Sequence, residues 1–552
     1  MSSPLIKNLL LVFAICLFWG LALNSLTDDS PTMDEQNHLV RGYSFLQTGD
    51  PRLSIEHPPL INLLSALPLK TISGISFSPE HSGWQDREWY SVANSFFWQD
   101  GNPVLLMVFM GRLPIVFLTI FLALAGFYAG NRFWGRPAGW FVFIGLLFDP
   151  SLFAHGRYIT TDLGGTLFIF LATLVVYNLF QTKKQWPTKQ IALAALSIGL
   201  AFSAKLTSIT FVPIWILLAL LPIYANSSIW TRISNLAISG LSSLIVVWLL
   251  FGLEFGPFLF VDESIRWLNA NSGPMPTFWS GIERIALLSS GERPSFLLGQ
   301  FSTNGFRHYF PVAFIVKTPV LVIIGFVAGL FVLFTRSRES RKTLFLVVPV
   351  SIYFGLAMTS ELNIGYRHLL PTLPFVYLVA SGGLAVLYKQ FSVQSKRWSA
   401  LVLTILLMLP TLWYHPYQIS YFNLLVGGPQ NGADVLVDSN IDWGQDLKRL
   451  KLWMDDNGVE SVKLGWFGIA DPAVYGIQYE PMPGDPIARF RDLWWNVPFD
   501  RTRPEPGIYA ISTTSLAEIP LQILEEKTVY AYFRDIEPTD RIGYSISIYV
   551  VE

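Results

Sequence analysis

Asp34 and Glu35 stand together shortly after the first long apolar run, and His57-Pro58-Pro59-Leu60 follows in the same polar stretch. A carboxylate at the mouth of membrane-spanning sequence is where a general base would meet a partly lipidic substrate. A second group, Asp149, His155, Arg157 and Asp162 with Thr160 and Thr161, is crowded between two further apolar runs. Charges packed so closely there face a shared cavity in preference to lipid. Asp34 and Asp162 can then meet from separate loops, one taking a proton from a hydroxyl while the other orients it. The competing reading is an Asp162–Arg157 ion pair that merely pins the loop. A third cluster runs from Glu361 to His368, where Arg367 offers a planar fork suited to phosphate oxygens and His368 a second donor. Lys205 sits in a tight turn between two apolar runs with little room to escape, whereas Lys317, near a helix end, is expected to snorkel to water. Arg307 and His308 read as interfacial.

The elements that must position these groups are mostly membrane helices. Of 552 residues, 52% are hydrophobic and only 14% charged, well below the charge content of soluble domains. About 20 apolar residues cross a bilayer, and on that ruler spans fall near 6–27, 103–129, 138–153, 163–181, 190–204, 206–224, 235–254, 312–335, 343–359, 369–388 and 399–415, about eleven in all. The first is read as a span and not a signal peptide, because its apolar core is long and lacks a small-residue cleavage site. Basic residues punctuate alternate loops: Arg132 and Arg136; Lys183, Lys184 and Lys189; Arg232; Arg336, Arg338, Arg341 and Lys342; Lys389, Lys396 and Arg397. By the positive-inside rule these loops and the N-terminus face the cytoplasm, and loops 28–102 and 255–311 and the tail face outward.

Within the first outer loop, Leu60 to Leu69 reads as an interfacial stretch, with Trp84, Trp89, Phe96, Phe97 and Trp98 suited to the headgroup layer. Beyond residue 415 the composition becomes that of a soluble domain. Strands are predicted at 434–438, 461–467, 507–512, 529–533 and 544–551, and a helix over 445–457 capped by Gly458. Loops fall at 481–486 and 503–507. The expected architecture is an α-helical multi-pass domain over 1–415, with outer loop 28–102 carrying the chemistry, and a soluble extracytoplasmic α/β domain over 416–552.

The same residues narrow the partners. A net charge of −1 gives no field to draw nucleic acid. Seven scattered histidines and one cysteine offer no transition-metal spacing; a divalent cation held by carboxylates stays open without supporting pattern, so no cofactor is expected. Cys16 reads as a small packed hydrophobe. No Gly-rich phosphate loop is present.

Met33-Asp34-Glu35 with His57-Pro58-Pro59-Leu60 resembles the first loop of the dolichyl-phosphate-mannose:protein mannosyltransferase family, and of the wider group of membrane glycosyltransferases with a C-type fold that includes bacterial aminoarabinose transferases. His155-Gly156-Arg157 with Thr160-Thr161-Asp162, then Ala204-Lys205, and finally Arg367-His368-Leu369-Leu370-Pro371 continue the resemblance in order. It implies a C-type glycosyltransferase fold and an inverting transfer of a sugar, mannose or similar, from a polyprenyl-phosphate donor to a hydroxyl acceptor on the outer face of the plasma (inner) membrane. Asp34 then matches the general base, with Glu35 beside it, and Asp162 the second acidic position. Lys205, Arg367 and His368 match the places that hold the lipid phosphate; His57, His155 and Arg157 are further active-site candidates. Loop 255–311 is too short for the β-trefoil of the eukaryotic enzymes, and the α/β tail has no counterpart there, which points to a prokaryotic relative with a protein, glycolipid or polysaccharide acceptor. The rival from another class is a transporter or flippase of a lipid-linked sugar, which also needs buried charges and many spans. A membrane receptor without activity is the third.

Overall fold

The computed structural model describes residues 4–224, 227–290, 294–335, 337–389, 392–483, 499–500, 502–519 and 529–552. Arg336 and the 484–486 part of the predicted 481–486 loop lie outside them, as do the side chains of Arg338, Lys396 and Arg397.

Among the described residues, each run predicted to span the membrane forms helix over most of its length, because a chain in hydrocarbon must satisfy its own backbone polar groups. Pro4–Asp28, Val104–Trp134, Thr161–Phe180, Ile229–Leu250, Ser337–Ala357 and the continuous Tyr366–Tyr388 are long and apolar enough to cross a membrane. The chain is a multi-pass membrane protein. Arg136–Leu147, Thr188–Ala204, Phe211–Leu220 and Val393–Trp413 account for four more of the predicted spans. Some are short: the 17 residues of Thr188–Ala204 rise about 25 Å, less than a full hydrocarbon core.

Two predicted spans need correction. The run 312–335 is not one rod but Tyr309–Lys317 and Val320–Phe334, bent by 111°. Pro319 between them lacks the N–H that would continue the ladder and disfavours helix at Thr318. The run 138–153 stops at Leu147. Asp149 then caps a new short helix, Pro150–His155, its carboxylate accepting from the Ser151 and Leu152 amides at 2.9 and 3.0 Å. These two breaks turn Lys317 and the His155–Asp162 loop inward. Cys16, expected to be packed, is exposed; apolar residues on a lipid-facing surface need no protein cover.

The predicted loop 28–102 folds as Glu35–Thr48, Pro59–Ala66 and shorter turns. Its aromatic residues do not all face the headgroups as expected. Trp84, Phe96 and Phe97 are buried with Leu39, Val40, Leu53 and Val92 in a core of their own. Ile61, Ser65 and Ala66 are also buried. Gly42 permits the packing, since a Cβ there would lie 1.9 Å from the Asn62 carbonyl oxygen.

The tail holds a five-stranded sheet in the order Gln478–Pro481, Ser461–Gly465, Gly507–Ser512, Ile546–Val551, Asp540–Ile542. The first three strands are mutually parallel and the last two pairings antiparallel. Leu447, Leu450 and Met454, on one face of helix Leu447–Asp456, pack against Val462, Leu464 and Ile548. Gly458 follows that helix at φ +64°, as its position predicts. Two predicted strands are not strands. Val435, Leu436 and Val437 are apolar because they are buried against the membrane helices. Residues 529–533 lead into a helical turn, Ala531–Arg534, with Val529, Tyr530 and Phe533 under the sheet. Burial on all sides and a strand read alike in a short apolar run. The strands Gln478–Pro481 and Asp540–Ile542, which were not predicted, are the two short edges.

Candidate active site

Asp34 occupies the N-cap of helix Glu35–Thr48 but does not use its carboxylate as a cap. The Asp34 backbone carbonyl accepts from the Asn37 and His38 amides, and the side chain turns away to Arg367, whose Nη1 lies 2.6 Å from Oδ2. Asp162, in the first turn of Thr161–Phe180, receives Lys205 Nζ at 2.5 Å on one oxygen and Arg367 Nη1 at 3.5 Å on the other. Lys205 reaches it because helix Thr188–Ala204 ends in extended backbone at Lys205 (φ −154°, ψ 127°). Gly165 clears the way, since a Cβ there would lie 2.8 Å from the Lys205 Cβ. Asp34, Arg367, Asp162 and Lys205 thus form one alternating row of charges from four separate elements.

The row is balanced, two carboxylates against two cations, and three of its members are nearly enclosed: side-chain exposure is 4% for Asp162, 7% for Lys205 and 10% for Arg367, but 26% for Asp34. Removing one partner from such a buried set leaves a charge uncompensated, at a cost of about 3–5 kcal/mol. Asp34 is the most open member of the row. Arg367 Nε and His368 Nε2 are buried without a hydrogen-bond partner, which leaves one guanidinium donor, and the imidazole nitrogen in the tautomer protonated there, for an anion.

Glu35 does something different from its neighbour. Fully buried, it takes both Arg112 Nε (2.8 Å) and Nη2 (2.6 Å), together with the amides of Thr32 (2.8 Å) and Ile159 (3.0 Å). Its oxygens are occupied in tying the segment before helix Glu35–Thr48 to Arg112 and to the loop at Ile159. Arg112 also donates to the carbonyls of Leu26, Asp29 and Ser30. Sequence reasoning passed over it, although a lone arginine inside an apolar span was the available signal.

Arg157 does not pair with Asp162. It binds Asp29 through Nε at 3.0 Å, Gln418 at 2.8 Å and the Pro416 carbonyl at 3.0 Å, joining the second loop to the neck of the tail. Lys317 does not snorkel. It is 3% exposed and donates to the carbonyls of Ile419 (2.9 Å) and Asn440 (2.6 Å) over the ring of Phe422. The bend at Pro319 leaves it no straight route to water, and carbonyls take its charge instead.

The histidines lie around the row. His57 Nδ1 is 3.4 Å from Thr161 Oγ1, and its ring is 4.5 Å from that of His38. His38, one turn after Asp34 and not singled out in the sequence, has its Nδ1 2.9 Å from Asn62 Oδ1. Burial, then the nearby Arg41, pushes His38 down to about 4. Burial and the neighbouring His38 hold His57 well below the usual imidazole range, and burial takes His155 to about 3. These rings are neutral near pH 7 and can offer one donor and one acceptor each to a polar ligand. Among the described residues, no three His, Cys, Asp or Glu side chains gather so as to hold a metal ion.

No protein-family model and no curated protein matches the sequence. Among solved structures, ArnT from Cupriavidus metallidurans in the apo state aligns over 98% of this chain and 98% of its own, at 12% identity and a TM-score of 0.49. The same protein bound to undecaprenyl phosphate aligns over 99% and 98%, at 12% identity and a TM-score of 0.47.

Proposed function

We propose that this chain is a membrane glycosyltransferase with the C-type fold that moves a sugar, a hexose such as mannose, from a polyprenyl-phosphate donor to a hydroxyl acceptor with inversion. The observation that carries the reading is the row Asp34–Arg367–Asp162–Lys205, with its open carboxylate at one end and its cations enclosed beside apolar helices. Asp34 accepts the proton of the acceptor hydroxyl as its oxygen forms a bond to the anomeric carbon. The bond from that carbon to the phosphate oxygen breaks on the opposite face, and its electron pair leaves with the phosphate. Lys205 and Arg367, with His368, hold the charge that develops there. A phosphate leaves without protonation, so a single base suffices where a glycosidase uses two carboxyl groups. Asp162 keeps the two cations together. The neutral imidazoles of His38 and His57 bear on the sugar hydroxyls.

We infer also that the basic loops and the N-terminus face the cytoplasm, and that residues 416–552 form an extracytoplasmic domain beside the site. The alternation of basic loops along the sequence supports this orientation. The test is to give purified protein an undecaprenyl-phosphate hexose with a hydroxyl acceptor and follow free undecaprenyl phosphate. Its release, dependent on acceptor, is expected. Passage of intact donor between vesicle leaflets with no bond broken would replace this reading with a lipid-sugar transporter.

A further inference from the structure

Residues 438–446, Asp-Ser-Asn-Ile-Asp-Trp-Gly-Gln-Asp, lie beyond the last membrane helix and far in sequence from the charged row, yet they contact the chain just before Asp34 and around Arg367, its first two members. Toward Asp34, the Trp443 carbonyl accepts from the Met33 amide at 3.0 Å and the Gln445 carbonyl from the Ser30 amide at 2.9 Å. Ser30 Oγ donates to the Gly444 carbonyl at 3.2 Å and accepts from the Leu447 amide at 2.9 Å. Gly444 makes this path feasible, since its φ of +85° favours glycine and a Cβ would meet Gly468 Cα at 3.0 Å. The backbone just before Asp34 is thereby paired to the tail.

Toward Arg367, Asn440 Oδ1 accepts from the Tyr366 amide at 2.9 Å, and Ser439 Oγ donates to the Ile364 carbonyl at 2.6 Å. Gly365 between them has no room for a side chain, because a Cβ would lie 2.2 Å from Ser439 Oγ. The Asn440 side-chain Nδ2 donates to the Tyr309 hydroxyl, and the Asn440 backbone carbonyl accepts from Lys317 Nζ. The Trp443 ring, 1% exposed, then lies over the Arg367 guanidinium at 4.3 Å from Cζ, with His155 and Tyr158 edge-on behind it. The other side of the segment is anchored on the sheet. Asp442 accepts from the Thr514 amide at 3.0 Å, and Asp446 from Ser545 Oγ at 2.5 Å.

We propose that Trp443 is a positioning residue of the transferase site: its ring face fixes the Arg367 guanidinium so that its buried, unpartnered Nε meets the donor phosphate. The tail is in this way part of the phosphate site. The inference rests on the reading of Arg367 as a phosphate-holding cation. An aromatic face over a desolvated guanidinium both attracts it and confines its plane, where an aliphatic side chain would do neither.

The test uses the full-length protein and undecaprenyl phosphate itself as the probe. Binding and thermal unfolding are measured for wild type, W443F and W443L, and donor KM and kcat are measured separately. Loss of the ring in W443L is expected to weaken undecaprenyl phosphate binding about tenfold or more, and W443F about threefold. Donor KM should rise in the same order; unfolding midpoints fall as well, because buried ring volume is lost, so binding is compared at a temperature where every variant is folded. Equal binding by wild type and W443L would overturn the proposal, and so would equal losses in W443F and W443L, which would mean that packing volume and not the ring face matters. If W443L does not fold, W443F binding with wild-type affinity overturns it alone. A wild-type protein that fails to bind undecaprenyl phosphate would instead overturn the phosphate reading of Arg367, and this inference with it.

Discussion

Replacing Asp34 by asparagine separates its proposed role as base from its place in the scaffold. The side chain keeps its shape, and the carboxamide oxygen of the variant can still accept from Arg367 where the carboxylate accepts at 2.6 Å. That bond changes from charge-assisted to ordinary, a loss of about 1 kcal/mol, and less to the extent that Asp34 is open to water. Arg367 retains Asp162 at 3.5 Å and the Trp443 face at 4.3 Å, so the buried cation is not orphaned. The unfolding midpoint of a chain this long should therefore fall by only about 1 °C. Chemistry loses more. A positioned general base contributes about 10²–10⁴ in rate, which is about 3–5 kcal/mol of activation free energy. Single-turnover release of undecaprenyl phosphate from a labelled donor should slow by that factor while undecaprenyl phosphate binding stays within a few-fold. An asparagine variant that turns over within tenfold of wild type, while Asp162→Asn is inactive, would refute the choice of Asp34.

The adjacent carboxylate should behave in the opposite way. Glu35→Ala orphans the buried Arg112 and is expected to cost about 3–5 kcal/mol, seen as lost yield and a lowered unfolding midpoint and not as a folded, inactive protein. Lys317→Met removes the donor from the Ile419 and Asn440 carbonyls, each left unsatisfied at about 1–3 kcal/mol; thermal unfolding of the purified variant checks it, and an unchanged midpoint would count against a structural role. Acidification should destabilise the protein through its buried imidazoles. His38 titrates at about 4 when folded against an ordinary 6.5, so the unfolded chain binds more protons between those values. Its contribution is complete above pH 6.5 and shrinks as pH falls toward 4, by about 1.4 kcal/mol per unit at most. Unfolding midpoints from pH 7 to 4.5 should drop less steeply in His38→Asn, and equal slopes would exclude the effect.

Much of the helical scaffold was legible because hydrocarbon imposes one rule on every spanning segment, and length with apolarity expresses it directly. The bend at Pro319 and the break before Pro150 were missed for a related reason: the apolar runs continue across both, and hydropathy does not register where the backbone ladder stops. In the tail, helix Leu447–Asp456 was readable from its periodic Leu447, Leu450 and Met454. The run at 434–438 misled because burial against membrane helices and membership of a sheet select the same β-branched residues.

At the site, residue types alone singled out Asp34, Glu35, Asp162, Lys205 and Arg367 as charges too costly to leave in lipid without a task. Only the tertiary structure separated Asp34 from Glu35. Adjacent helix residues point about 100° apart, and the partner each one finds, Arg367 or Arg112, comes from a helix far along the chain. Likewise, nothing in the local sequence of Asn440 or Trp443 ties them to Arg367. A chain's own sequence determines which groups must be buried and satisfied; which distant group satisfies them is decided only when the helices pack, because ion pairs and ring contacts act through space over a few ångströms and not along the chain.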